Sequence, residues 1–135
     1  MSARAALIAF VLFLIGATPA WSQATADLPE GVEPMAFGVD TMVITTANGR
    51  FVYDIEVATT PQQQARGLMY RTSLGVNKGM LFIFQREQMQ AFWMANTLIP
   101  LDMVFIDAEA RLVSIQREAE PLSQTSRPSE GPARF

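Results

Sequence analysis

Apolar and polar residues alternate along two neighbouring stretches of the chain, and this pattern predicts a β-hairpin. The runs 41–46 and 51–57 are rich in β-branched and aromatic residues, and Asn48-Gly49 lies between them. Asn-Gly is a strong hairpin signal because both residues tolerate the positive φ of a tight turn. From Phe51 to Val57, the odd-numbered residues lie on one face, which we expect to be buried, and the even-numbered residues face solvent.

A short helix is predicted directly after this hairpin, over about 61–70. Thr60 is a suitable N-cap, Pro61 suits the first helical position, and Gln63 completes a capping box. Residues at positions i, i+3 and i+4 form one apolar stripe that we expect to dock on a sheet. The stripe consists of Ala65, Leu68 and Met69.

The remaining pattern predicts short strands. The run 79–85 is apolar on both faces and predicts a central strand, 86–90 is a polar connection, and 91–94 is another short strand. A second hairpin is predicted for 101–107 and 111–116, with 108–110 as its loop.

Proline, serine and glycine predict an irregular surface segment over 118–132. With local connections throughout, the fold class is α+β and mostly antiparallel β: a small barrel-like or strongly curved sheet with one short helix.

The N-terminal residues have the pattern of a secretory signal peptide. Arg4 precedes the apolar run 5–15, which is too short to span a bilayer, and small residues follow it. We expect cleavage after Ala24, with sites at 20–22 and 24–26 as competitors; an uncleaved N-terminal anchor is the alternative. Residues 1–24 are therefore a predicted signal peptide, 25–39 a flexible leader and 40–135 a single β-rich domain. The predicted location is periplasmic or secreted, with no membrane association after cleavage.

Composition narrows the chemistry available to the chain. Among 135 residues there is no Cys and no His, so disulfides, thiolate nucleophiles, imidazole zinc sites and the Ser-His-Asp triad are excluded. A net charge of −3 argues against a nucleic-acid partner. The methionines fall within apolar runs, which favours core packing over a copper site, and we predict neither a metal nor another cofactor.

Three segments, 66–71, 79–84 and 92–102, resemble the uncharacterised domain-of-unknown-function family 192 in their order and spacing. The resemblance runs from about Phe51 to the end of the chain. It implies a compact, largely β, barrel-like fold with a short helix, often behind a signal peptide, and it implies no reaction. Similar proteins continue past 131–135 into another strand. We therefore expect the C-terminal strand to be truncated here, and a longer chain to be more stable.

The densest polar cluster follows the apolar segment 92–94. The candidate binding residues are Arg66, Trp93, Asn96, Thr97 and Asp102. Asn, Thr and Asp supply hydrogen-bond groups that could anchor a small ligand or an envelope partner, and an Arg fork can hold a carboxylate. Alternatively, Asn96 and Asp102 satisfy loop backbone groups, and Arg66 pairs with Asp102 within about 4 Å.

Two further alternatives remain open. Trp93 either faces outward and stacks on a sugar or peptide or, more commonly for a strand tryptophan, is buried. Asp102 could act as an acid/base in a hydrolase-like enzyme, with Thr97 and Asn96 orienting the substrate. Asp54 and Glu56 share a strand face, but alternating acids are usually a solvated face. The absence of His and Cys favours a binding module over an enzyme, and no catalytic residue is predicted.

Overall fold

Eight strands and one short helix make up the described part of the chain, which comprises residues 8–10 and 28–135 of the computed structural model. In order they are β1 (Ile8–Phe10), β2 (Gly38–Thr46), β3 (Gly49–Ala58), α1 (Pro61–Arg66), β4 (Lys78–Phe82), β5 (Gln88–Phe92), β6 (Leu101–Ile106), β7 (Leu112–Ala119) and β8 (Arg127–Ala133). They form one four-stranded sheet, β1-β2-β3-β4, and two pairs, β5-β8 and β6-β7. The mostly antiparallel strands and the single helix confirm the predicted fold class. Because these sheets do not close into a barrel, a set of curved sheets is the closer description.

The first predicted hairpin is confirmed as β2–β3, with a small correction at its turn. Thr46 pairs with Gly49, so the turn residues are Ala47 and Asn48 rather than Asn48 and Gly49. The Thr46 hydroxyl accepts a hydrogen bond from the Asn48 backbone N–H at 3.1 Å, which supports the turn locally. Gly49 has a φ of +135° and opens β3, so the glycine is still required by the backbone.

The helix begins as predicted but ends earlier. The Thr60 side chain accepts from the Gln63 N–H, and the Gln63 side chain accepts from the Thr60 N–H, which confirms the capping box. The helix ends at Arg66 instead of near residue 70, because Gly67 takes a φ of +47° and turns the chain away. A Cβ on Gly67 would lie 3.1 Å from the Phe82 ring, so this turn packs tightly on β4.

Only part of the predicted apolar stripe is buried as a consequence. Ala65, on the helix, is exposed, whereas Leu68 and Met69 lie in the turn after it and are buried and half-buried. The apolar contact with the sheet is therefore made by the turn.

The apolar run after this turn forms β4, and its predicted central position is wrong. It is shorter than the predicted 79–85 and pairs in parallel with β3, from Asp54↔Lys78 to Ala58↔Phe82. Among the described strands it is the end of the four-stranded sheet. Its residues are half-buried. Phe82 contacts Phe92 edge-on, with ring centroids 4.9 Å apart.

Two predictions in the C-terminal half are wrong. The segment 86–90 is not simply a connection, because β5 begins at Gln88, and the strand predicted at 91–94 already ends at Phe92. The segment 118–132 is not irregular throughout, because β7 reaches Ala119 and β8 occupies Arg127–Ala133. The prolines in β8 led to the prediction of an irregular segment. A strand that is paired on one side tolerates proline at positions where the N–H would point away from the partner strand.

The β6–β7 hairpin is confirmed, and the core lies beneath it. Phe105 of β6 is 1% exposed, and its ring centroid is 5.8 Å from that of Phe92. Phe92 in turn contacts the rings of Phe82 and Phe84, so one phenylalanine from each of the three sheets and Phe84, which follows β4, form one cluster. Of the four methionines expected in the core, Met94 is fully buried, and Met69, Met80 and Met103 are half-buried.

Most of the predicted signal peptide lies outside the described residues. Of its apolar run only 8–10 are described, and they form β1, antiparallel to 43–45 of β2. In the leader, the Ala36 carbonyl accepts from the Gln63 side chain at 3.0 Å, and β2 begins at Gly38 rather than at 40. No helix in the described part of the chain is long and apolar enough to cross a membrane.

Candidate functional site

Trp93 is exposed because of the residues on either side of it. Phe92 belongs to the aromatic cluster and Met94 is fully buried, so both neighbours are fixed toward the core. In an extended chain successive side chains point in opposite directions, which turns Trp93 outward. Its side chain is 55% exposed. The expectation of a buried tryptophan is wrong, and the outward orientation is the one found.

A shallow groove of about 230 Å³ lies beside this indole. It is lined by Ala91, Phe92, Trp93, Gln124 and Ser126. The two polar residues come from the segment between β7 and β8, which the sequence did not associate with Trp93. Backbone hydrogen bonds bring the segments together: the Met94 N–H donates to the Ser123 carbonyl at 2.8 Å, and the Leu122 N–H donates to the Thr97 carbonyl at 3.0 Å.

Asn96 and Thr97 hold this region in place. Asn96 has a φ of +54°, which asparagine tolerates better than most residues, and its carbonyl accepts from the Tyr70 N–H at 2.8 Å. Its side-chain amide reaches only the Met69 sulfur, at 3.9 Å. Thr97 is buried, and its hydroxyl donates to the Ala95 carbonyl at 3.2 Å. These contacts join the turn after α1 to the loop that follows Trp93.

Asp102 lies on the surface, and its carboxylate accepts a backbone N–H that has no strand partner. The β6–β7 register shifts between Leu101 and Met103, and Glu118 opposite this bulge has a φ of +47°. The Glu118 N–H donates to Asp102 Oδ1 at 2.7 Å instead of to a strand carbonyl. The carboxylate therefore has the structural role proposed as the alternative for it, that of satisfying a backbone group.

The predicted ion pair between Arg66 and Asp102 is wrong. The Arg66 guanidinium donates to the Glu33 carbonyl at 2.8 Å and lies 5.7 Å from the centre of the Tyr70 ring. Helix α1 ends at Arg66 and directs this side chain toward the leader, whereas Asp102 is occupied at the β6–β7 bulge. The candidate residues therefore do not form one site: Trp93 lines the groove, Asn96 and Thr97 lie in the loop that follows it, and Arg66 and Asp102 lie apart with separate partners.

An ion pair that the sequence analysis missed joins Glu56 to Arg71. Both oxygens of Glu56 accept from the two terminal nitrogens of Arg71, and the side chains are only 17% and 25% exposed. The Arg71 guanidinium also lies over the Phe37 ring at 5.7 Å. The strand alternation placed Glu56 on a solvated face, and only the tertiary position of the turn after α1 covers it. Because Glu56 is paired with Arg71, Asp54 and Glu56 do not form a pair of unpaired carboxylates on this strand.

Three carboxylates meet at the β6–β7 loop. Oxygens of Glu87, Asp107 and Glu109 lie within 4.8 Å of one another, but Arg111 already binds Asp107 at 2.9 Å and Glu109 at 3.1 Å. Burial acts to raise the pKa of Asp107, but the N–H groups of Arg111 and Glu109 and the Arg111 guanidinium together hold it below its ordinary value of 3.8. The guanidinium therefore pairs with two of the three carboxylates and reduces the repulsion among them.

A second shallow groove, of about 280 Å³, lies between α1 and the segment before β5. Thr59, Gln64, Phe84 and Arg86 are among its lining residues. The Gln64 amide is used internally, since it donates to the Ile83 carbonyl at 2.8 Å. The groove beside Trp93 is smaller but presents an exposed aromatic ring, and it is the stronger candidate for a binding site.

Comparison with known proteins agrees with the resemblance seen in the sequence. The profile of the DUF192 family, described as an uncharacterised ACR, matches residues 43–135. A crystal structure of a protein of unknown function from Novosphingobium aromaticivorans is similar with 36% identity and a TM-score of 0.72, over 88% of this chain and 84% of that one. A candidate transcription regulator from Sinorhizobium meliloti shares 32% identity and a TM-score of 0.72, over 76% and 80% of the two chains. No curated protein matches the chain.

Proposed function

Because the chain belongs to the DUF192 family, for which no reaction is described, we propose its function from the site: an exported module that binds a small ligand or a cell-envelope partner at the groove beside Trp93. The observation that carries this proposal is the exposed indole, which lies between Phe92 of the aromatic cluster and the fully buried Met94. An aromatic ring kept in solvent by its neighbours is ready for a ligand without a conformational change, so little ordering cost opposes binding.

The lining of the groove indicates the chemistry of the ligand. A tryptophan face packs on flat C–H surfaces, such as a sugar ring or the plane of a peptide, and Gln124 and Ser126 can donate and accept hydrogen bonds at its edge. The five lining residues carry no charge. We therefore expect a neutral, polar ligand with one flat apolar face.

In this proposal the polar loop supports the site and the ligand contacts Trp93. Asn96 and Thr97 hold the loop through their backbone carbonyls, and Thr97 is buried beneath it. Arg66 and Asp102 lie apart from the groove with other partners, so we do not include them in the contact surface.

The enzyme alternative required Asp102 as acid/base in a cleft with Thr97. Asp102 is exposed, and one of its oxygens accepts the Glu118 N–H, while the Thr97 hydroxyl is turned to the Ala95 carbonyl. This arrangement offers no shared substrate position, so binding without catalysis is the function we propose. We do not propose a role in transcription regulation for this chain, because its net charge of −3 opposes contact with the phosphate backbone of DNA.

Binding is tested by fluorescence of Trp93. The sequence has two tryptophans, and the exported chain that begins near Thr25 retains only Trp93, so its emission reports on the groove. We expect a neutral β-linked glucose tetramer or a neutral tetrapeptide to shift its emission. Trp93→Ala, measured by calorimetry, should weaken binding at least about tenfold, or 1.4 kcal/mol. The matched control is Phe51→Ala, an exposed aromatic on a different surface. Equal affinity in Trp93→Ala and wild type would exclude this groove as the site.

Export is tested separately, by the N-terminal mass of the protein recovered from the periplasmic fraction of a bacterial host. The proposal requires a chain that begins near Thr25. A full-length chain retained in the membrane fraction would show that the N-terminal segment is an anchor.

A further inference from the structure

Strand β2 is a regular and almost uncharged strand. It pairs continuously with β3 from Gly38↔Val57 to Thr46↔Gly49. It contains no lysine, arginine or proline, and its only charged residue is Asp40. Charges, prolines and bulges are the usual features that prevent an edge strand from pairing with another chain. This strand has none of them over 41–46.

The backbone of β2 presents alternate hydrogen-bonding groups away from β3. Thr46 and Gly49 close a two-residue turn, so they exchange hydrogen bonds with each other, as does every second pair along the ladder. The intervening residues Val43 and Thr45 therefore direct their N–H and C=O groups outward, as Thr41 does its C=O group, while the Thr41 N–H donates to the Asp40 carboxylate at 2.7 Å. In the structure this outer edge holds β1, which pairs antiparallel with 43–45. The edge thus accepts an extended segment in that orientation.

Apolar side chains flank this edge on both faces. Strand β4 pairs only with Asp54–Ala58 of β3, so the hairpin tip extends beyond the sheet. There Phe51 is 44% exposed and Val52, on the opposite face, is 52% exposed. A strand added to β2 would bury apolar area next to these side chains in addition to forming backbone hydrogen bonds.

We propose that in the exported protein this edge pairs with β2 of a second copy of the chain. The inference rests on the export part of the proposed function, because cleavage after Ala24 removes 8–10 from the edge. A two-fold axis at Val43 pairs Thr41 with Thr45 of the second copy and Asp40 with Thr46 of the second copy, so no like charges meet. Valine pairs and threonine pairs are favourable across strands. The result is one continuous sheet through both copies.

The second copy is favoured over an unrelated partner by this self-complementarity. The same five residues, Thr41–Thr45, face each other across the axis, and the uncharged strand needs no charged partner. Such a closed two-fold arrangement also leaves no further β2 edge open for a third chain.

The test uses sedimentation velocity on the protein recovered from the periplasm, with its N-terminus read by mass spectrometry. We expect a dimer at about 10–100 μM, and Val43→Lys should weaken dimerisation at least about tenfold by placing two ammonium groups at the axis. The matched control is Val104→Lys, an exposed valine on strand β6, away from this edge. It should remain dimeric. Circular dichroism establishes that both variants are folded.

Amide hydrogen exchange supplies a second readout within wild type. The N–H groups of Val43 and Thr45 should be protected in the dimer and lose protection in Val43→Lys, whereas Met42 and Ile44 are protected by β3 in both. A wild-type monomer at about 100 μM overturns the proposal whichever N-terminus it carries, as does equal dissociation of the two lysine variants. The N-terminal mass decides the export proposal independently.

Discussion

The two hairpins of the protein, β2–β3 and β6–β7, were predicted from the same kind of pattern but are built differently. The first pairs without a shift over the whole of β2. The second shifts register twice, between Leu101 and Met103 and between Phe105 and Ile106. The regular hairpin exposes apolar residues at its tip, whereas the irregular one carries the most deeply buried phenylalanine.

The difference shows how the C-terminal half replaces missing ladder contacts with side chains. Asp102 accepts the Glu118 N–H at the β6–β7 bulge. The Ser114 hydroxyl accepts the Glu130 N–H at 3.1 Å, and the Ser129 hydroxyl accepts the Gln90 N–H at 3.1 Å. Bulges and these local bonds bend the strands around the aromatic cluster and reduce the backbone groups available to other chains. In strand β2 such bonds lie near its two ends, from the Thr41 N–H to Asp40 and from the Asn48 N–H to Thr46, and the edge over 42–45 stays open to pairing.

The largest expected difference between the two hairpins is in the stability lost when one phenylalanine is removed from each. Phe105→Ala should lower the free energy of unfolding by about 3–5 kcal/mol, because the ring is fully enclosed and its loss leaves a cavity. Phe51→Ala should cost about 1 kcal/mol or less, since the side chain is 44% exposed. Urea denaturation measures both. Similar losses would mean that the tip of β2–β3 is covered by something in solution.

Gly49→Ala tests the turn of the regular hairpin. The φ of +135° at Gly49 is unfavourable for a residue with a Cβ, and we expect a loss of about 1–2 kcal/mol. Gly38→Ala is the matched control at the other end of β2, where a Cβ would make an ordinary 3.8 Å contact with Val57. It should be neutral or slightly stabilising. A neutral Gly49→Ala would contradict the turn geometry described for 46–49.

Asp102 tests the bulge of the irregular hairpin. Asp102→Ala removes the acceptor for the Glu118 N–H and should cost about 1 kcal/mol, similar to the loss of a helix cap. Asp102→Asn keeps an acceptor oxygen and should retain most of the stability, which distinguishes a backbone contact from an ion pair. If Asp102→Asn lowers the free energy of unfolding as much as Asp102→Ala does, the negative charge itself is required.

The smallest effect is expected from the loop of β6–β7, through its dependence on pH. The pKa of Asp107 is lower in the folded chain than its ordinary value of 3.8, so the ionised form is bound more favourably by the fold. Its contribution to stability is complete above about pH 5 and decreases as the pH falls through the folded pKa. Asp107→Asn should flatten this part of the stability curve, with the parent chain as reference. An unchanged slope would assign the acid sensitivity to other carboxylates.

Local patterns predicted the elements whose signals lie within a few residues. The capping box at Thr60–Gln63, both hairpins and the fold class follow from spacing alone. The sequence could not show that Gly67 would end the helix against Phe82, because that contact joins distant residues. Strand β8 was missed since its prolines resemble a loop, and only its pairing with β5 makes it a strand.

Only the part of the candidate site that lies within a short stretch of sequence could be predicted. Trp93, Asn96 and Thr97 lie in one region, as their proximity in sequence implied. Gln124 and Ser126, which complete the groove, lie far along the chain and show no motif. The Arg66–Asp102 pair was inferred from complementary charges, but each side chain found a nearer backbone partner.

The pairing of β5 with β8 has a consequence for the order in which the chain folds. Gln88 is hydrogen-bonded in register with Ala133, and the Arg134 carbonyl accepts from the Phe84 N–H, so the aromatic cluster is completed by the last residues of the sequence. Contacts between distant positions form slowly because the intervening loop must first close. The β2–β3 hairpin, closed by two residues, can form within microseconds. In a chain that emerges N-terminus first, the uncharged strand β2 is therefore already formed before the C-terminal half is complete. At that stage the groove beside Trp93 still lacks the side formed by Gln124 and Ser126.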